Sequence, residues 1–249
     1  MKVSIITVCF NSEKTIQSTI ESVISQKKNY SDIEYIIIDG GSTDSTKSII
    51  DSYEDSIDYV ASEKDDGIYD AMNKGLSVAT GDVIGFLNSD DHYSQDDVIK
   101  VVIEAFLKRG TDCVFGDLKY VSQNKTTRVK RDWISSSYKV GSFLKGWHPP
   151  HPTFFVKKYI YEQYGAFDLR YKIAADFELM YRFLEMHKIR SVYIPKYLVM
   201  MRDGGASNKS FRNIIKANLE CYNSIKRNGG KPTILFPIIK PLRKIIQIF

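Results

Sequence analysis

The segment VIGFLNSDDHYS, residues 83–94, runs from an apolar stretch straight into carboxylates. Val83 to Leu87 reads as a buried strand that surfaces in Asn88, Ser89, Asp90, Asp91 and His92. Adjacent like charges are unfavourable unless water or a cation receives them. Working back from this segment, Thr80-Gly81-Asp82 is a turn, and a helix is expected over about 68–79. A short strand precedes it near 58–62, and a helix after Ser42 turns Ile49 and Ile50 inward. The runs VSIITVC (3–9) and IEYIIID (33–39) are β-branched and almost continuously apolar, as in parallel strands covered on both faces. Between them, Ile16, Ile20, Val23 and Ile24 recur at helical spacing within 12–26. This alternation predicts a doubly wound, mostly parallel α/β sheet.

Beyond residue 94 a helix is expected over 95–108 and a strand over 113–121. Residues 122–155 are irregular and read as loops and edge strands. Helices follow over 157–164 and 174–187, then a strand over 191–202, a glycine loop, and a helix over 208–227. There is no internal repeat.

The chain has 249 residues, 43% hydrophobic and 26% charged, which suits one large globular domain, or a domain with an appendage. Its net charge is +5, but residues 207–249 hold nine Lys/Arg against the single acid Glu220, so the preceding part is net acidic. A basic end suggests an anionic neighbour, a phospholipid surface or a phosphate-bearing substrate. No nucleic-acid recognition motif accompanies it, so nucleic acid is not an expected partner. Cys9, Cys113 and Cys221 form no disulfide framework or zinc pattern, which fits a reducing compartment. The N-terminus is too short in apolar residues for a signal peptide, and no run approaches the ~20 apolar residues of a membrane span. A cytoplasmic protein is expected.

In an open α/β sheet, ligands sit beyond the carboxyl ends of the strands. The residues there are Phe10-Asn11, Asp39-Gly40-Gly41, Glu63 to Gly67, and Asn88 to Asp91. Each group alone is an ordinary polar loop. Together they would line one crevice. Asp90 and Asp91 offer hard oxygen ligands suited to Mg²⁺ or Mn²⁺, which keep waters and complete their shell with substrate phosphates. The plainer alternative is an acidic loop before the next helix. Asp65-Asp66 competes for the same role, while Asp96-Asp97 suits the first turn of a helix. Asp39 could accept hydrogen bonds from a base or ribose, or simply form the turn. Neither GxGxxG nor GxxxxGK[ST] occurs, so dinucleotide and P-loop chemistry find no support.

Five blocks carry a more specific signal: SIITVCFNSEKTI, IIIDGGSTDST, SEKDDGIYDAMNKGLSVATGDVIGFLNSDD, HPTFF, and YGAFDLRYKIAADFELMYRFL. In this order and spacing, over about residues 1–205, they resemble bacterial family 2 glycosyltransferases of the GT-A fold, most of all those that build cell-surface polysaccharides such as O-antigen or capsule. The resemblance implies a GT-A domain over 1–206, with a donor half to about 121, an acceptor half over 122–206, and a basic helical extension over 207–249. It implies that Val8, Phe10, Asn11 and Asp39 hold the nucleoside of a nucleotide-sugar, and that Asp65, Asn73 and Gly75 line the same pocket. The family's DxD block falls on Asn88-Ser89-Asp90. Asn at its first position leaves Asp90, with Asp91 beside it, as the metal ligand. Asp176 matches the catalytic base, His151 a position on the acceptor side, and Arg202 to Ser207 a loop that closes over the diphosphate.

The implied reaction is metal-dependent transfer with inversion, from a nucleotide-sugar with UDP as the first candidate, to a lipid-linked saccharide. One carboxylate suffices as base, because the phosphate leaves without an acid. Trp147 is a candidate to stack on a sugar ring. His148 and His151 flank Pro149-Pro150 without a third ligand suited to zinc. The tail mixes Leu235, Phe236 and Leu242 with Lys240, Arg243 and Lys244. That pattern suits peripheral attachment to an anionic membrane, or packing on the domain or on a second subunit in a homodimer. The alternative functions are a sugar-phosphate nucleotidyltransferase, which would want a basic glycine-rich loop after the first strand, and a non-catalytic, membrane-docked binding module.

Overall fold

The computed structural model describes residues 1–123, 125–204, 211–237 and 240. Its nine-stranded sheet begins with four parallel strands. β1 (Val3–Cys9) pairs with β2 (Ile33–Asp39) and β4 (Val83–Phe86), and β2 pairs with β3 (Tyr59–Ser62). Every residue of β1 and β2 is buried, which explains their almost continuously apolar sequence. Helices cover both faces. On one side lie α1 (Ile16–Gln26), α2 (Thr46–Asp51) and α4 (Val98–Arg109), which place Ile16, Ile20, Ile50, Ile99 and Phe106 against Ile5 and Ile37. On the other, α3 (Ile68–Val78) packs Met72 and Leu76 against Ile6 and Ile38.

Beyond β4 the sheet becomes mixed. β8 (Phe155–Lys157) runs antiparallel between β4 and β6 (Cys113–Ser122), β6 is parallel to β9 (Ser191–Arg202), and β5 (Asp91–Tyr93) closes the edge antiparallel to β9. The expectation of loops and edge strands over 122–155 misses the length of β7 (Lys125–Trp133), which pairs antiparallel with β6. Only a short connection joins the two, and such a connection permits a hairpin but no parallel crossover.

The expected strand over 83–87 ends one residue early, and Asp91 opens β5. The helix expected over 174–187 divides into α6 (Ala175–Tyr181) and a π-helical turn over Arg182–Met186. α5 (Lys158–Tyr164) and α6 pack on the same face as α3. α7 (Phe211–Arg227) lies against α6 and contributes Cys221 and Ile225 to the same core. Phe236, fully buried, continues that contact against Phe177. The basic extension, so far as it is described, is therefore part of the folded body.

Candidate active site

The loops after the parallel strands are tied together by short side chains. Asn11, with a left-handed φ of 48°, donates its N–H to Ser42 Oγ and accepts the Thr43 N–H at Oδ1. Asp39 is fully buried, and its carboxylate accepts hydrogen bonds from the Ser42 N–H, the Ser42 hydroxyl and the Ser62 hydroxyl. Asp65 lies against Gly40, where an added Cβ would meet its Oδ2 at 2.4 Å. Phe10 is 61% exposed, a free aromatic face on this rim.

Asn88 to Asp91 form the next loop, braced from behind. Ser12 and Ser89 share a hydroxyl contact of 2.8 Å, and Thr19 Oγ1 on α1 lies 3.0 and 2.7 Å from the carbonyls of Ser89 and Asp91. Asp91 is fully buried, and burial first, then the charge of Asp90, pushes its carboxyl well above the usual range. Its Oδ2 accepts a long hydrogen bond from Asn88, while Asp91 Oδ1 and Asn88 Oδ1 are buried without a partner. Among the described residues no three His, Cys, Asp or Glu side chains converge into a ready-made metal cluster. A set of hard oxygens around Asp90, two of them orphaned, fits an Mg²⁺ or Mn²⁺ ion that arrives with a diphosphate and keeps its waters. It does not fit a tightly caged structural metal.

Asp176 lies in the first turn of α6. The Tyr69 hydroxyl on α3 is shared between Asp176 Oδ1 at 3.1 Å and the Ile173 carbonyl at 2.8 Å. Burial and the Asp176 charge push the Tyr69 phenol well above its ordinary value, so it stays a donor. His151 is buried, stacked on Phe86 of β4 and edge-on to Phe167. Burial pulls its pKa down against the opposing charge of Asp176, which keeps the imidazole neutral near pH 7. Tyr120 on β6 is buried, and burial raises its pKa first; the Arg131 guanidinium opposes that, while the charges of Asp91 and Asp176 add to it. Its ring stacks parallel to Trp133, with the Arg131 guanidinium 4.0 Å above it.

Several expected residues stand elsewhere. Gly75 faces the sheet. A Cβ there would meet Ile6 Cγ2 at 2.4 Å, so the glycine lets α3 approach the sheet. Asn73 is not free to bind a ligand, because its amide pairs with both the N–H and the carbonyl of Phe167. Val8 is a core side chain, 4% exposed. Trp147 packs among Phe115, Tyr138 and Phe143 rather than standing open for a sugar. Arg202 is buried and points behind the loop, donating to the Asp90 carbonyl at 2.6 Å and to Ser18 Oγ at 2.9 Å. With Ser18, Glu21 and His92 it lines a hollow of about 340 Å³ on the α1 side. It braces the loop instead of closing over a diphosphate, and residues 205–207 of the expected closing loop lie outside the described residues.

Tyr69, Tyr120 and Thr19 escaped sequence reasoning. Tyr69 sits inside a recognisable block, but nothing local says that it reaches a residue 107 positions away.

Known proteins place this arrangement. Residues 4–165 match the model of glycosyl transferase family 2. An uncharacterized glycosyltransferase of Mycobacterium tuberculosis is 34% identical over 181 residues, covering 72% of this chain and 68% of that protein. A PGL/p-HBAD biosynthesis glycosyltransferase of Mycobacterium bovis is 27% identical over 210 residues, covering 82% of this chain and 78% of its own. Among solved structures, S. aureus TarS 1–349 in complex with UDP aligns with a TM-score of 0.63 at 18% identity, over 88% of this chain. This chain spans 65% of that one. Mannosyltransferase PcManGT from Pyrobaculum calidifontis, in complex with GDP-Man and Mn²⁺, aligns with a TM-score of 0.66 at 17% identity, over 98% of this chain and 69% of its own. These two likenesses establish the shared fold, the family match and the mycobacterial relative establish descent, and the chain belongs to glycosyl transferase family 2.

Proposed function

We propose that the protein transfers a sugar from a nucleotide-sugar, a UDP-sugar first among the candidates, to a hydroxyl of a lipid-linked saccharide, with inversion at the anomeric carbon. The observation that carries this reading is the Asn88–Asp91 loop, whose Asn88 Oδ1 and Asp91 Oδ1 are buried without a partner, in a chain that also fixes the Asp176 carboxylate through Tyr69. Hard oxygens suited to a diphosphate-bound cation and a fixed carboxylate suited to a base support donor activation and proton removal by this chain. The exposed Phe10 ring, with Asp65 and Asp39 behind it, suits the nucleobase and ribose end of the donor. That the TarS structure holds UDP and the PcManGT structure holds GDP-Man and Mn²⁺ supports the same donor chemistry here.

In this scheme Asp90, with Asn88 and Asp91 around it, would hold Mn²⁺ or Mg²⁺, which offsets the charge developing on the departing diphosphate. Asp176 Oδ1 is fixed by Tyr69, leaving Oδ2 to accept the acceptor's proton. The hydroxyl oxygen bonds to the anomeric carbon as the bond to the diphosphate oxygen breaks on the opposite face. Neutral His151 and the Tyr120–Trp133 ledge border the space where a saccharide would lie.

The acceptor class rests on the surface. α7 exposes Ile215 and Leu219, one helical turn apart, beside the basic Arg212 and Lys216, and Ile234 is 85% exposed. Such a face suits peripheral attachment to an anionic membrane, where lipid-linked saccharides reside. No helix among the described residues is long and apolar enough to cross a membrane. The three buried, free cysteines suit the reducing, cytoplasmic side. The test is sugar transfer from a panel of nucleotide-sugars with Mn²⁺ onto polyprenyl-linked saccharides in vesicles. EDTA should abolish transfer and added Mn²⁺ restore it. Full transfer in EDTA, or no transfer from any donor in the panel, would sink the reading.

A further inference from the structure

α6 begins without help from its own sequence: Ala174 stands at its N-cap and offers no side-chain hydrogen bond. The help comes from far along the chain. Glu220, the only acid in the basic segment 207–249, accepts the backbone N–H groups of Ile173 at 2.8 Å and Ala174 at 3.0 Å, both at Oε2. These are the residues just before Asp176, and the Ile173 carbonyl is the group that shares the Tyr69 hydroxyl with Asp176. One turn of backbone is thus gripped on its donor side by α7 and on its acceptor side by α3. α7 holds α6 a second time through Asn228, which donates to Glu178 at 3.0 Å. Phe236 then packs against Phe177, and Lys240 sits over the same ring while its Nζ meets Cys221 Sγ at 3.2 Å.

We infer that Glu220 is a positioning residue for Asp176, so that the C-terminal helix is a working part of the catalytic centre. The inference rests on Asp176 being the base. The reasoning is geometric. A general base must lie within hydrogen-bond reach of the proton it takes, and a displacement of about 1 Å can cost on the order of 100-fold in rate. Two charge-assisted hydrogen bonds to the peptide just before the base fix its position more firmly than a three-residue approach could by itself. The carboxylate touches neither donor nor acceptor and acts only through the backbone.

The test is a double-mutant cycle in the full chain, measuring transfer and donor KM. Glu220→Ala should lower kcat about 10- to 100-fold, with donor KM within about twofold of the parent. Glu220→Gln should recover most of that loss, because a single amide oxygen can accept both N–H groups as Oε2 does. Asp176→Asn should abolish most transfer while leaving donor binding intact, and adding Glu220→Ala to it should change the residual rate little. A purely structural role would lower the melting temperature and the active fraction alike, with additive losses in the cycle and no change in kcat per folded molecule. That result would overturn the inference and leave the base assignment standing. Normal transfer by Asp176→Asn would overturn both.

Discussion

The two ends of the sheet solve the same problem by opposite means. In the N-terminal half, backbone polar groups are consumed by parallel ladders and helices, and only loop ends need further partners. Those partners are short and local to the rim: Ser12 with Ser89, Asn11 with Thr43, Ser42 and Ser62 with Asp39. In the C-terminal half the backbone is irregular, and buried peptide groups still require partners. Charged side chains reach across the fold to supply them. Arg182 donates to the carbonyls of Tyr164, Gly165 and Ala166, Glu185 accepts from Gly141 and Phe143, and Glu220 accepts from Ile173 and Ala174. The cores differ in the same sense, aliphatic and β-branched in one, crowded with Phe143, Phe177 and Tyr181 in the other. The difference teaches that the donor-side loops are tied mostly by short uncharged side chains, with Arg202 bracing Asp90 from behind, whereas the turn before Asp176 is tied by the charged Glu220.

That contrast can be broken experimentally. The largest effect should come from Arg182→Ala, which leaves the buried Glu178 carboxylate without its cation, held by Asn228 alone, and unpairs three carbonyls. A loss of about 3–5 kcal/mol is expected in chemical denaturation. A loss below 1 kcal/mol would mean the C-terminal half does not depend on its clamps. Asp90→Ala should lower transfer about 100-fold or more while stability barely changes, and should abolish the Mn²⁺ dependence of the thermal shift caused by nucleotide. Retained Mn²⁺ dependence would move the ion elsewhere.

Gly75→Ala sharpens the comparison from the aliphatic side. Pressing a methyl group onto Ile6 should cost about 1–3 kcal/mol with donor KM unchanged, since the glycine serves packing. A raised KM at normal stability would return it to the pocket. Asn73→Ala should cost about 1–2 kcal/mol by leaving the Phe167 peptide groups unpaired, again without affecting donor KM. The smallest effect concerns Glu34. Burial pushes its carboxyl up, but hydrogen bonds from Ser4, Thr80 and Lys2 outweigh that and hold it at about 2. A depressed folded pKa contributes stability above the ordinary value of 4.5, and that contribution fades as pH falls towards about 2. After allowance for solvent near Lys2 it is on the order of 1 kcal/mol. Glu34→Gln should flatten the stability profile across that window, and an unchanged slope would discount the hydrogen bonds.

Much of the fold is legible in the sequence. The parallel strands announced themselves because burial on both faces forces continuous apolar runs, and the loop ends because acids rarely follow such runs without cause. Local pattern says less where a residue's contacts depend on a partner far off in the chain. Asn73 and Gly75 lie in the block that suggested a ligand pocket, yet one clamps Phe167 and the other admits Ile6. Arg202 ends β9 at the entry to the expected phosphate-closing loop, but its guanidinium donates to the Asp90 carbonyl from behind. Trp147 had the right chemistry for a sugar and the wrong neighbours.

The sequence by itself determined the alternating α/β order, the acidic strand ends and the basic C-terminal segment, because each is written in local periodicity or composition. Tertiary structure alone decided that Tyr69 and Glu220 bracket the turn before Asp176, and that α7 belongs to the core. Those facts rest on contacts between residues tens to more than a hundred positions apart, and no local pattern encodes such distances.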